Sequence, residues 1–338
     1  MNPEPVFWLR TGGHRDTICI GKQRNGKVME KKYLGIDVGG TFIKMGLVNS
    51  AGEVSMRREI PVAKDPERRR VMEIMMQGIE DMLGEAGITA QDLGGIGVSA
   101  AGCIDSVKGA VAGNGGNVPD WSWTEVTGPL EERFGIRAAL ANDGNCAVLG
   151  EAWTGAARGC DDVICVTLGT GVGGGIISGG RLIEGRHGYA GEIGHFPTHA
   201  DAGSKYPGDR SSHFETYAST AALVRAAVKA DPAWESGREL FGTAKAGDEC
   251  ALSVIDAWLE EVAMGLAGFI HTFDPQLILI GGGVSAQEDL LIKPLREKVV
   301  KIIEPDFADG LEIKAAALGN DAGMVGAVRY LITVLGDK

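Results

Sequence analysis

Five side chains of this sequence lie where glycine or a strand end would let a polar group face a ligand: Asp37, Asp143, Glu192, His195 and Glu215. Asp37 ends an apolar β-branched run just ahead of Gly39-Gly40-Thr41. A carboxylate there can hold Mg²⁺, directly or through water, beside a polyphosphate. It can also simply shape the turn by accepting a nearby backbone N–H. Asn142-Asp143 ends a second apolar run and opens a helical stretch. Asp is a favoured helix N-cap. A carboxylate held at a strand end also suits a general base, taking the hydroxyl proton in phosphoryl transfer, and both uses of Asp143 stay open. Glu192, His195 and Glu215, with His213, flank a polar loop. Two carboxylates and an imidazole suit a polyhydroxylated ligand, whose neighbouring hydroxyls each need a partner. The alternatives are a first-turn acid favoured by the helix dipole for Glu215 and a buried, hydrogen-bonded ring for His195.

Two glycine-rich stretches must position these groups. Residues 34–48 (LGIDVGGTFIKMGLV) and 163–177 (VICVTLGTGVGGGII) share one design. Each is a strand, a small polar residue, a glycine cluster and a second apolar strand, which predicts a β-hairpin with a nearly bare turn. Backbone N–H groups in such turns can close around phosphate oxygens because no Cβ keeps the ligand away. Each turn also holds Thr, at Thr41 and at Thr167 and Thr170, so the pair predicts two half-sites gripping one polyphosphate. Gly281-Gly282-Gly283, between a strand and a helix, either admits a purine or ribose to the backbone or makes a tight turn. Residues 117–121 (NVPDW) follow a glycine-rich loop. Pro119 fixes a turn and Trp121 offers a flat wall, which fits sugar contact or a packed turn.

No G-x-x-x-x-G-K-[ST] run occurs, which excludes a Walker P-loop. Gly169, Gly171 and Gly174 satisfy G-x-G-x-x-G, but residues 175–178 read as strand where a dinucleotide fingerprint needs helix. The net charge of −12 argues against nucleic acid as the main partner. Six cysteines form no C-x-x-C pair, and Cys146 and Cys165 lie in apolar segments where buried, reduced thiols are expected. His187, His195, His199, Asp201 and His213 match no standard zinc spacing. No apolar run reaches the length of a membrane span, so the cytoplasm is the default location. Residues 1–30 mix Pro, Gly, Arg and Lys without periodicity and are expected to be a disordered leader or an upstream-start artefact.

A chain of 338 residues, 44% hydrophobic, can bury a large core and is expected to split into two domains. Strands are predicted at 54–62, 95–101, 137–141, 181–183, 276–280 and 312–316. Helices are predicted at 66–86, 125–134, 143–157, 214–229, 236–246, 249–273, 293–303 and 321–334. Irregular loops are expected at 102–117 and 185–212. Hairpins followed by strand–helix alternation, twice over, indicate an α/β architecture built by duplication, with ligands in the cleft between halves.

Taken in order from residue 33 onward, these motifs resemble those of the ROK family (repressors, open reading frames and sugar kinases), most closely its glucokinase-like members. Asp37-Val-Gly-Gly-Thr41, followed by Lys44, is similar to the family's first phosphate motif, and Leu168-Gly-Thr-Gly-Val-Gly-Gly-Gly175 to its second. Ala101-Gly-Cys-Ile-Asp105 resembles P-G-x-x-D, Asn117-Val-Pro the sugar-contacting N-x-P turn, and Asn142-Asp143-Gly-Asn145 the N-D-x-N motif. Glu192-Ile-Gly-His195 and Glu215 resemble the sugar-binding acids and histidine, and Gly281-Gly-Gly283 the adenosine motif.

The resemblance implies an actin-like ATPase (sugar kinase) fold of two duplicated α/β lobes with a cleft between them. The lobes would span 31–143 and 144–318, with a helix at 319–336 packing back on the first. It implies ATP-dependent phosphorylation of a hexose, glucose first, then N-acetylhexosamine or fructose, with Mg²⁺ as cofactor and a homodimer as assembly. Asp143 would be the catalytic base, and Asn117, Asn142, Glu192, His195 and Glu215 would grip the sugar. Asp37, Gly39, Gly40, Thr41, Lys44, Thr167, Gly169, Thr170, Gly171, Gly281, Gly282 and Gly283 would hold the nucleotide, Asp37 also serving Mg²⁺. One departure is large. The family's C-x-C-G-x-x-G-C motif, which with the histidine binds structural zinc, is replaced by residues 206–213 (YPGDRSSH), so no structural zinc is expected and hydrogen bonds and packing must hold the loop. The family also contains sugar-responsive transcription regulators, but these place a winged-helix head before the first hairpin, for which the leader is too short.

Overall fold

Hydrophobic alternation and glycine placement set the first sheet. A computed structural model describes residues 31–62, 70–113, 118–203, 205–206 and 208–336. β1 (Lys32–Val38) and β2 (Phe42–Asn49) form the first hairpin, with Asp37 opposite Lys44. β3 (Val54–Pro61) flanks β2 and alternates half-buried with exposed residues, as an edge strand with one wet face does. α1 (Val71–Ala86) follows, closed by Gly87 at φ 65°, a left-handed cap that glycine adopts without strain. The chain returns through β4 (Leu93–Ala100), parallel to β1. Next come the small hairpin β5 (Ile104–Asp105) and β6 (Ala110–Val111), α2 (Thr127–Phe134), and β7 (Ala138–Asn142), parallel to β4.

α3 (Asp143–Thr154) leads to the second sheet, where β8 (Val163–Leu168), β9 (Val172–Ser178) and β10 (Arg181–Leu182) repeat the antiparallel start. Four helices are inserted before the parallel half: α4 (Phe214–Ala218), α5 (Thr220–Ala230), α6 (Gly237–Lys245) and α7 (Glu249–Phe273). β11 (Leu277–Gly281), α8 (Lys293–Ile302), β12 (Glu312–Ala315) and α9 (Ala322–Leu335) complete the chain. The strand orders are β3-β2-β1-β4-β7 and β10-β9-β8-β11-β12. Position by position they are the same order, which is the duplication the two hairpins announce. The result is the two-lobed, actin-like sugar kinase architecture.

One core lies between the first sheet and α1 and α2; a second lies between the second sheet and α4 to α8. α9 packs on β1 and β4 and also on α3, which in turn rests on β8 and β9. Gly35 and Gly97 permit this, because a Cβ on either would run into the α9 carbonyls of Met324 and Ala327. The two helices therefore join the lobes at the cleft.

Several expectations change in detail. The helix expected at 214–229 is two helices, because Ser219 leaves the helical conformation (φ −66°, ψ 157°) and its Oγ accepts the Ala222 N–H as the cap of α5. The loop expected at 102–117 contains the β5–β6 hairpin. Trp121 is fully buried in the first core, so it is a packing residue and not a sugar-facing wall. The leader 1–30, the predicted helix start at 66–69 and Asn117 lie outside the described residues. Among the described residues no helix is long and apolar enough to cross a membrane.

Candidate active site

The cap of α3 decides what Asp143 is free to do. Asn142, not Asp143, is the N-cap: its Oδ1 accepts the N–H groups of Gly144 (2.8 Å) and Asn145 (3.3 Å). Its Nδ2 donates to the Gly102 carbonyl at 3.1 Å, tying down the loop after β4. Asn142 thus spends much of its hydrogen-bonding capacity on structure, while Asp143 opens to the cleft as the first helical residue, with Oδ1 accepting the Gly144 N–H at 2.9 Å.

Two cavities meet at Asp143. The smaller, about 350 Å³, is bordered by Glu192, His195, Arg210 and Glu215. The larger, about 600 Å³, is bordered by Asp37, Lys44, Gly281, Gly283 and Asn320. Asp143, Thr167 and Gly282 border both. Asp143 is open to solvent in the cleft, yet the protein crowded around its carboxyl, followed by the charge of Asp37, pushes it up to about 7, with the Gly144 N–H pulling the other way.

On the side of the larger cavity, Asp37 accepts a hydrogen bond from Ser99 Oγ at 2.8 Å. Burial raises the Asp37 carboxyl above its ordinary range, against the pull of Ser99 and of Lys44. Gly323 at the start of α9 lies against this carboxylate; a Cβ there would come within 2.6 Å of it. Lys44 Nζ donates to Asn320 Oδ1 at 3.1 Å. Asp37 and Asp143 repel across the cleft floor, and a divalent cation would offset that repulsion, so the donor set fits Mg²⁺.

The glycine turns do less with their amides than the sequence implies. The Gly39 N–H closes its own turn on the Phe42 carbonyl, and the Gly169 N–H closes on Gly171, both at 3.0 Å. Gly39 borders the larger cavity, but Gly169, Thr170 and Gly171, expected on the nucleotide side, border the smaller one beside Glu215, and Gly40 and Thr41, at the tip of the first turn, border neither. Part of the second glycine cluster serves packing. Gly174 and Gly175 lie against the backbone of Gly144, which lets α3 start directly on β9. Gly171 leaves room for Glu215, whose Oε2 would be 2.6 Å from a Cβ there. Gly282, at φ 97°, lies against the Leu168 carbonyl.

The smaller cavity is assembled by a zipper between residues 196–199 and 212–214. Phe214 N–H donates to the Phe196 carbonyl at 2.8 Å and Thr198 N–H to Ser212 at 3.0 Å. Phe214, fully buried, anchors it edge-on to Phe269 at 5.8 Å. The zipper places His195 Nδ1 3.2 Å from His213 Nδ1 and 3.8 Å from Glu215 Oε1, with His195 Nε2 3.7 Å from Glu192. Burial raises the Glu192 carboxyl and lowers the His195 imidazole; the Glu215 charge adds to the first shift and opposes the second. Glu215 is the first-turn acid of α4 and also borders the smaller cavity.

Arg210 is the residue that sequence reasoning missed. Its Nη1 donates to Glu215 Oε1 at 2.9 Å, inside the cavity. The signal available was a guanidinium standing where the family's cysteine-rich loop should be. Of the five suspected metal ligands, only His195 and His213 come together. His199 instead stacks on Tyr217 at 3.6 Å and sits 3.5 Å from Glu261.

The profile of the ROK family matches residues 33–333. A glucokinase of Thermotoga maritima is 34% identical over 318 residues, covering 89% of this chain and 97% of that protein. Two solved structures are similar in fold. A ROK family glucokinase from Streptomyces griseus, in complex with glucose and AMPPNP, has a TM-score of 0.73 and 32% identity over 88% of this chain and 97% of that one. A ROK hexokinase from Thermus thermophilus has a TM-score of 0.72 and 29% identity over 91% and 100%. With the profile match running from β1 to α9, the chain belongs to the ROK family.

Proposed function

We propose that this chain is an ATP-dependent sugar kinase that converts glucose to glucose 6-phosphate, with Asp143 as general base. The observation that carries this reading is the position of Asp143 on the floor shared by the two cavities. A base there can reach a hydroxyl held on one side and face a phosphate held on the other. As the sugar oxygen attacks the γ-phosphorus, its proton passes to the Asp143 carboxylate, the bond from phosphorus to the bridging oxygen breaks, and ADP leaves. Such a transfer needs mainly positioning and electrostatic stabilisation.

Glu192, His195 and Glu215 border the smaller cavity with an acceptor, a ring and a second acceptor, a set suited to hexose hydroxyls. Asn142 has an amide hydrogen left for the same purpose beyond its bond to Gly102. On the other side, Lys44, Gly39 and Thr167 border the space assigned to the phosphates, and Gly281 to Gly283 that assigned to the nucleoside, while the second glycine turn borders the sugar-side cavity where the two spaces meet. Mg²⁺, held near Asp37, supplies neutralisation of phosphate charge when bound. That the Streptomyces griseus relative is in complex with both glucose and AMPPNP supports a hexose and ATP as the two substrates. A homodimer and a cytoplasmic location complete the reading.

The test is ADP release with ATP and Mg²⁺ across a panel of hexoses, N-acetylhexosamines and a sugar-free control. Glucose is expected to give the highest kcat/KM. A panel no faster than the control overturns the kinase reading, and a strong preference for another sugar overturns glucose as acceptor.

A further inference from the structure

The structural zinc implied by the family does not fit the residues of this loop. Counting back from Glu215, the three cysteine positions hold Tyr206, Gly208 and His213, so only His213 offers a soft-metal ligand atom. A different cross-link holds the loop. Asp209 accepts the backbone N–H groups of Lys205 (2.9 Å) and Ser211 (3.0 Å). Ser211 Oγ donates to the Gly203 carbonyl at 3.0 Å, and Tyr217 Oη to the Ser211 carbonyl at 2.8 Å. These bonds bracket Arg210, whose side chain reaches Glu215, and the zipper beside them sets His213 against His195.

Each contact fixes a sugar-facing group. Two neutral imidazoles whose Nδ1 atoms are 3.2 Å apart need one donor and one acceptor. With His213 as the donor, His195 keeps its hydrogen on Nε2, the nitrogen nearer Glu192. Arg210 holds Glu215 by Oε1, leaving Oε2 on the Gly171 side. A cation bridging His195, His213 and Glu215 would have to share Glu215 with the guanidinium already bound to it.

We propose that His213 and Arg210 are positioning residues that replace the metal, so that this chain orients His195 and Glu215 for sugar without a transition metal. The sugar part rests on the assignment of the smaller cavity; the metal part does not. Elemental analysis of the chain purified without chelator is expected to find well below stoichiometric zinc, and glucose affinity by calorimetry should be unchanged by the zinc-selective chelator TPEN. Zinc at one per chain, or affinity lost with TPEN and restored by zinc, overturns the proposal. Zinc content is read without sugar, so it decides the metal question even if the kinase reading fails.

The positioning role has its own readout. Arg210→Ala and His213→Ala are expected to raise the sugar KM about tenfold and leave the ATP KM within about twofold. His213→Asn, whose side-chain amide can donate from nearly the same place, should recover part of the loss. Equal losses in His213→Ala and His213→Asn, or an unchanged sugar KM in Arg210→Ala, overturn it. Arg210 is half-exposed, so its variant keeps the test open if His213→Ala fails to fold.

Discussion

Ser99 and Asp37 occupy paired positions on the adjacent parallel strands β4 and β1, and the Ser99 hydroxyl donates to the Asp37 carboxylate at 2.8 Å. Ser99 is completely buried, so this hydroxyl has been committed to one carboxylate in the cleft floor. Burial favours protonated Asp37, while Ser99 and Lys44 favour the ion that a metal needs. A hydrogen bond to a charged group contributes about 1.5–3 kcal/mol. Ser99→Ala should therefore raise the half-saturating Mg²⁺ concentration roughly tenfold at fixed ATP, with the sugar KM little changed. A Mg²⁺ titration identical to wild type would remove Asp37 from the metal site.

The raised Asp143 carboxyl gives a pH dependence of definite sign. Asp143 accepts a proton only as carboxylate, so kcat/KM for sugar should climb with pH and level off at or below about 7, since Mg²⁺ beside Asp37 offsets part of the shift. The same shift acts on stability in the opposite sense. The folded state holds the Asp143 proton more tightly than the unfolded chain, so this contribution is present below the ordinary carboxyl value of 3.8 and is lost as pH rises through about 7. Thermal melts at pH 8 should find Asp143→Asn more stable than wild type, with the difference closing toward pH 4. A gap that widens toward acid would contradict the assignment.

Two glycines of the second turn separate packing from ligand approach. Ala at position 171 would press within 2.6 Å of Glu215 Oε2, so Gly171→Ala should raise the sugar KM about tenfold by displacing that carboxylate. Position 169 has nothing within 4 Å of a Cβ, so Gly169→Ala should fold normally. Any rise in its ATP KM then reports on a ligand that approaches this backbone. Steady-state kinetics on the two variants, with melting curves as controls, checks both statements.

Both hairpins and the duplication were legible because strand alternation and glycine clusters are local patterns that the repeat makes harder to mistake. The division of labour at Asn142-Asp143 was not legible. Both residues are cap formers, and only the bond from Asn142 to Gly144 and Asn145 shows which one caps and which faces the cleft. Trp121 reads equally as wall or core until its burial is seen. Ser219 hides a helix break inside an apolar stretch because a polar residue at one position barely disturbs the period. Arg210 showed only as a guanidinium in place of the cysteine-rich motif, and no periodicity linked it to Glu215, since its place is set by side-chain-to-backbone bonds in an irregular loop.

Asp143→Asn tests the assignment of the catalytic base most directly. Removing a positioned general base costs about 10²–10⁴ in rate, while the amide keeps the side-chain volume and the cavity. Turnover with ATP and glucose should fall by at least about a hundredfold, with glucose affinity by calorimetry within a few-fold of wild type. A variant that turns over at the wild-type rate would contradict the assignment of Asp143 as the base.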